Sequence, residues 1–212
     1  MLLASSSFYV DPSDVCALSG ATILLARHAS HDEVGKVLSG RSAIPINPAG
    51  RAEAMRLARR LVDVPLAAIY SSPRRRAQDT AAIVAEPRGV TVETADGLDE
   101  IDFGEWQGRS FDDLDGDPDW ARWNMARASA ATPGGETMHA ATKRAVRHIE
   151  AVAGAAPVLC VSHCDIIRGV VAHYLGLDAD RLLAFDVDPA SLTELAVYSG
   201  GARVVSLNER PR

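Results

Sequence analysis

Three times this chain runs through a short, continuous apolar segment and stops abruptly at a hydroxyl or basic residue. The runs are ATILLAR (Ala21–Arg27) before His28, residues 66–72 ending in Ser71 and Ser72, and PVLCVS (157–162) before His163. Unbroken apolar runs of this length, with β-branched members and polar ends, read as strands covered on both faces. Between them the spacing changes to that of a helix. Asn47–Pro48 marks a turn and a first helical position, and Ala52, Met55, Leu57, Ala58 and Leu61 then recur on one face. Residues 73–86 carry a second helical pattern, 89–94 a further strand, and 166–174 a helix that follows the 157–162 strand directly. Alternating strand and helix requires parallel pairing, because a parallel neighbour is reached only by a crossover. The predicted fold is therefore α/β: a mostly parallel central sheet with helices on both faces, a three-layer α/β/α architecture.

The pattern loosens between Gly104 and Gly135, where Asp112, Asp113, Asp115, Asp117 and Asp119 alternate with Gly116 and Pro118. This predicts an inserted lobe of short helices over about 108–133, with Trp120 and Trp123, three apart, in its core; a lid over the substrate, completed by Arg122 or Arg127, is the alternative. A long helix over 137–153 follows the Pro133–Gly134–Gly135 turn, and the strands Leu192–Tyr198 and 203–207 are joined by Ser199–Gly200–Gly201 as a hairpin. Residues 21–212 are expected to form one domain. Residues 1–20 lack the basic start and apolar run of a secretory signal and are expected to be a poorly ordered leader. With 22 Lys+Arg against 28 Asp+Glu the formal net charge is −6, so no basic field exists to attract nucleic acid. No apolar stretch is long enough to span a membrane, and three cysteines do not make a disulfide framework. These features predict a cytoplasmic protein without nucleic-acid or membrane partners. Its oligomeric state is left open, the tail hairpin offering an edge strand for a homodimer.

In such sheets ligands bind beyond the carboxyl ends of the strands. Arg27–His28, Ser71–Ser72 with the following Arg74–Arg75–Arg76, and Ser162–His163 all fall there. Two arginines and two histidines converging on one pocket suit a dianion, since guanidinium offers planar donor pairs that match phosphate oxygens. Glu100, in LDEIDFGEWQG, lies on a loop shortly after the 89–94 strand and is placed to exchange a proton with a leaving oxygen. Rival chemistries fit less well. His28, His31, Asp32, His163, Cys164 and Asp165 are all metal-ligand types, yet their spacing is not that of a metal motif. Only three residues separate Cys164 from Arg168, too few for the loop of a cysteine phosphatase, and no glycine-rich nucleotide loop is present. Neither a metal nor a cofactor is expected.

Taken together these motifs resemble those of the histidine phosphatase superfamily, which includes the cofactor-dependent phosphoglycerate mutases. Arg27–His28–Ala29 resembles its Arg-His-Gly motif. Ser71, Ser72, Arg76, Ala77, Thr80 and Ala81 match Ser-Ser-x-x-x-Arg-Ala-x-x-Thr-Ala, and Leu98, Glu100, Gly104 and Gly108, with Trp106, match Leu-x-Glu-x-x-x-Gly-x-x-x-Gly. Gly134, Gly135, Glu136 and Thr137 match Gly-Gly-Glu-Ser; Val161, Ser162 and His163 match Val-Ser-His-Gly, with Cys164 in the last position. The resemblance implies that His28 attacks phosphorus to form a phosphohistidine, that Arg27, Arg76 and His163 hold the phosphoryl oxygens, and that Glu100 moves the proton. It also implies a metal-independent phosphomonoesterase acting on a small phosphorylated metabolite. The alternatives are a phosphoglycerate-type mutase, or an inactive phospho-ligand binding module. Ser30, Arg41 and Cys164 are further candidates for substrate contact. Arg74, Arg75, Asp99, Asp102 and Glu105 are assigned to the surface.

Overall fold

The protein's computed structural model describes residues 20–212, so the expected leader lies outside the described residues except for Gly20. Strand β1 (Ala21–Arg27) shows why its sequence is unbroken by polar residues: side chains alternate across a sheet covered on both faces. Ile23 and Leu25 enter one core, shared with helices α5 (Met138–Val152) and α6 (Cys164–Leu175). Leu24 and Ala26 enter the other, built with α1 (Pro48–Arg60) and α2 (Arg75–Ala85). Asn47 caps α1 by accepting from the Gly50 N–H at 2.8 Å, and Pro48 occupies the first turn, where a missing N–H costs nothing.

Six strands form the sheet, in the order β3 (Val92–Thr94), β2 (Ala68–Ser71), β4 (Val158–Ser162), β1, β5 (Leu192–Tyr198) and β6 (Gly201–Glu209). The first four are parallel; β5 runs antiparallel to β1 and pairs with β6 as a hairpin. The expected mostly parallel sheet with helices on both faces is thus the fold. β3 is shorter than the 89–94 run suggested, since a 3₁₀ turn occupies Glu86–Arg88 and pairing starts only at Val92.

Within 108–133 lie two short helices, α3 (Phe111–Leu114) and α4 (Pro118–Met125). The acidic alternation of this stretch is capping chemistry. Asp113 completes a capping box with Ser110, and Asp117 accepts from the Asp119 N–H at 2.9 Å. Leu114 and Trp123 are fully buried in the same core as α5 and α6. Among the described residues no helix is long and apolar enough to cross a membrane.

Candidate active site

Parallel pairing aligns Arg27 on β1 with Ser162 on β4, and Ser71 on β2 with Val161, so the residues that follow all three strands emerge at one edge. His28 follows β1 with its N–H bonded to Ser162 O at 2.9 Å, and its imidazole is buried. Nδ1 lies 2.9 Å from Ala29 O. A carbonyl only accepts, so Nδ1 carries the proton and Nε2 keeps its lone pair. Burial, reinforced by the Arg76 and Arg27 charges, pushes this imidazole well below the ordinary histidine range, so it is neutral at physiological pH. The turn is pinned from α2, where Thr80 Oγ1 accepts from the Ala29 N–H at 3.0 Å and donates to Arg76 O at 2.7 Å.

The His163 ring centroid lies 5.2 Å from that of His28. Its Nδ1 accepts from Arg76 Nη2 at 3.1 Å, since guanidinium can only donate, and Nε2 therefore donates to Ser72 Oγ at 2.7 Å. His163 has no exposed surface and is held neutral by burial and by Arg76, whereas His28 keeps 3% of its surface exposed. Arg76, itself buried, donates from Nη2 to Gly40 O at 2.6 Å and from Nη1 to Ser42 O at 3.2 Å, while its Nε finds no partner. Arg27 donates to Val187 O at 2.6 Å and likewise retains an unpartnered, buried Nε. Such orphaned cationic donors, in a structure where buried polar groups are normally paired, point to an anion.

Glu100 closes the group. One carboxyl oxygen accepts from the Ile101 N–H at 3.0 Å, and the other lies 3.7 Å from His163 Nδ1 and 4.0 Å from Arg76 Nη2. Burial and the Asp165 charge raise its pKa to about 7 against the pull of Arg76, so it can give and take a proton near neutrality. Its backbone is clamped, the Glu100 carbonyl accepting from Arg41 Nε and from Arg144 Nη2, both at 3.0 Å. Arg27, Arg76 and Glu100 line one cleft of about 500 Å³.

Several assignments change. Ser30 does not line the cleft; its N–H and hydroxyl donate to the Glu53 carboxylate at 2.8 and 2.9 Å. Arg41, expected to touch substrate, is held by Asp99, Asp102 and Glu136 at 3.2–3.4 Å and serves the Glu100 loop instead. Cys164 does line the cleft, with its thiol pushed up to about 11 by burial. Asp99 is buried rather than on the surface. It accepts from the Glu100 N–H at 2.7 Å and pairs with Arg74 at 2.8 Å, which draws Arg74 in as well. Trp120 and Arg127 line the cleft, Trp123 is core, and Arg122 is exposed. Among the described residues no group of three or more His, Cys, Asp or Glu side chains is placed to hold a metal. Arg144 was missed by sequence reasoning because nothing in the spacing of a basic helix marks one arginine as inward. Its partner, the Glu136 carboxylate 2.9 Å from Nε, was visible only as a motif position.

A dianion pocket at the carboxyl edge of a parallel sheet, with a neutral imidazole, two arginines holding spare donors and a protonatable carboxyl, defines an enzyme of phosphoryl groups. The chain belongs to the histidine phosphatase superfamily (branch 1), whose family model matches residues 23–210, and it is a phosphoric monoester hydrolase. It is 29% identical over 192 residues to the adenosylcobalamin/alpha-ribazole phosphatase of Salmonella typhimurium, covering 88% of this chain and 95% of that one. It is also 28% identical over 193 residues to phosphoserine phosphatase 1 of Hydrogenobacter thermophilus, covering 88% and 91% respectively. A mycobacterial glucosyl-3-phosphoglycerate phosphatase solved with VO3 superposes with a TM-score of 0.80 at 28% identity, covering 89% of this chain and 99% of that one.

Proposed function

We propose that the protein hydrolyses the monoester of a small phosphorylated metabolite through a phosphohistidine on His28, without a metal. The observation that carries this reading is the neutral His28, whose Nδ1 proton is committed to Ala29 O so that Nε2 is free to attack. In the first step Nε2 forms the N–P bond while the ester P–O bond breaks, and Glu100 gives its proton to the departing oxygen. Water then attacks phosphorus, the N–P bond breaks, and Glu100 takes the proton back as phosphate leaves. Arg27 and Arg76 supply the positive charge around the phosphoryl oxygens through their unpartnered donors. His163, held neutral by burial and by Arg76, gains a dianion beside it when substrate binds, which favours its imidazolium and makes it a further donor. We place the reaction in the cytoplasm, where the free thiols Cys160 and Cys164 remain reduced. The names of the relatives support a small metabolite as substrate.

The test is trapping of the phosphoenzyme. With a labelled phosphomonoester and a chelator present throughout, native protein quenched in alkali is expected to retain acid-labile label. His28→Ala should retain none and lose activity by about a thousandfold or more. Activity that disappears with the chelator, or that survives His28→Ala, would refute the mechanism.

A further inference from the structure

Beyond its phosphate-binding end the cleft changes character. One wall is apolar: Val34 and Val37 from the loop after β1, Phe111 from α3, and Trp120 from α4. Trp120 stands edge-on to the buried Trp106, with ring centroids 5.4 Å apart, and lies 6.2 Å from Phe111 at a 31° tilt, so the two rings form a shelf rather than a closed stack. Leu183, on the same cleft, is 54% exposed, an apolar side chain left in water at a binding site. The charged groups at this end are mostly drawn into pairs. Arg127 donates to Asp165 at 3.2 Å and to Asn124 at 2.9 Å; Arg168 faces Asp165 at 3.7 Å and Asp186 at 3.9 Å. Asp188 is taken up by Arg210 at 2.6 Å. Arg127 Nε alone at this end is buried without a partner.

We infer that the leaving alcohol carries a flat apolar ring that lies on the Trp120–Phe111 shelf. This rests on the phosphatase reading of the same site. The phosphate end is common to every monoester, so selectivity has to come from the alcohol's contacts with this wall. A ring on the shelf buries apolar area against Trp120 and covers Leu183.

The test compares three alkyl esters, so that leaving-group acidity is similar: 2-phenylethyl phosphate, glycerol phosphate and O-phosphoserine. Native enzyme is expected to show kcat/KM for 2-phenylethyl phosphate at least about tenfold above both others. Trp120→Ala should lower the ratio of 2-phenylethyl phosphate to glycerol phosphate by about tenfold, mainly through KM. Because Trp120 also packs on Trp106, Leu183→Arg provides a second variant at an exposed position; its added charge should move the ratio at least about tenfold toward phosphoserine. A native preference for phosphoserine would overturn the inference while leaving the catalytic reading intact, and would assign the buried, unpartnered Arg127 Nε to a carboxylate. Ratios unchanged in both variants would also overturn it. Hydrolysis of none of the three esters by native enzyme would overturn the catalytic reading and this inference with it.

Discussion

Burial of Glu100 beside Asp165 raises its carboxyl pKa to about 7 against the offsetting attraction of Arg76, with consequences for both chemistry and stability. Donation to a leaving alkoxide needs the protonated form, so kcat/KM for an alkyl phosphate should fall as pH rises through about 7. Glutamine cannot donate that proton. Glu100→Gln is expected to lose about 10²–10⁴ in activity on alkyl esters, to lose less on p-nitrophenyl phosphate, whose leaving group needs little protonation, and to lack the falling limb. The same shift acts on folding. Between the ordinary value of 4.5 and about 7 the folded chain holds a proton that the unfolded chain has released, so this group's contribution declines across that window, by about 3 kcal/mol in total. The lowered pKa values of His28 and His163 act in the opposite sense below 6.5, where raising pH favours the folded state, but they are common to both proteins. Glu100→Gln should therefore gain stability relative to native protein between pH 5 and pH 8, as read by urea unfolding. A constant difference across that range would show that Glu100 does not titrate there.

Glu100 is only as well placed as the loop that carries it, and that loop is fixed from two sides. From α5, Arg144 donates to Asp99 O at 2.7 Å and to Glu100 O at 3.0 Å, while Glu136 holds Arg144 and Arg41. From the Pro133–Gly135 turn, the backbone packs directly on Gly104, where φ is +54° and a Cβ would be driven into the Pro133 carbonyl. Gly108 has an equally left-handed φ of +81°, yet open space where a Cβ would stand. The pair separates strain from collision: Gly108→Ala should cost about 1 kcal/mol, Gly104→Ala at least about 3, by urea unfolding. Equal costs would show that the two segments do not meet as closely as this geometry requires. Strand ends, helix spacing and the Arg27, His28, Arg76, Glu100 and His163 set are local patterns, so they could be read directly from the sequence. Whether Ser30 or Arg41 faces substrate depends on Glu53, Asp102 and Glu136, distant carboxylates that claim those side chains first. Asp99 looked like surface because acidic loop residues usually are; Arg74, 25 positions away, makes it internal.

Strand order explains why the site lies where it does. The chain leaves β1, crosses to β2, and only after residue 157 returns to lay β4 between them, so His28 and His163 face each other across the last gap in the parallel sheet to be filled. The segment 108–133, with its two short helices, is bound to this frame by shared core. Leu114, Trp123 and Ala130 pack in the same cluster as Ile23, Leu25 and the inner faces of α5 and α6, leaving the segment no separate core with which to fold alone. The chain's three tryptophans, Trp106, Trp120 and Trp123, lie within or against this segment, so their fluorescence reports it while far-ultraviolet circular dichroism reports the sheet and helices throughout. Heating should give one transition with the same midpoint by both probes. Vanadate at about 100 times its dissociation constant should raise that midpoint by several degrees in both signals, since binding to the folded state alone adds about 2.7 kcal/mol. Arg76→Ala should abolish the shift, because Arg76 supplies an anion donor at the floor of the cleft and joins α2 to His163. A fluorescence transition preceding the circular dichroism transition would instead define the segment as an independently melting unit, and a vanadate shift confined to fluorescence would place the anion in the segment rather than at the sheet edge.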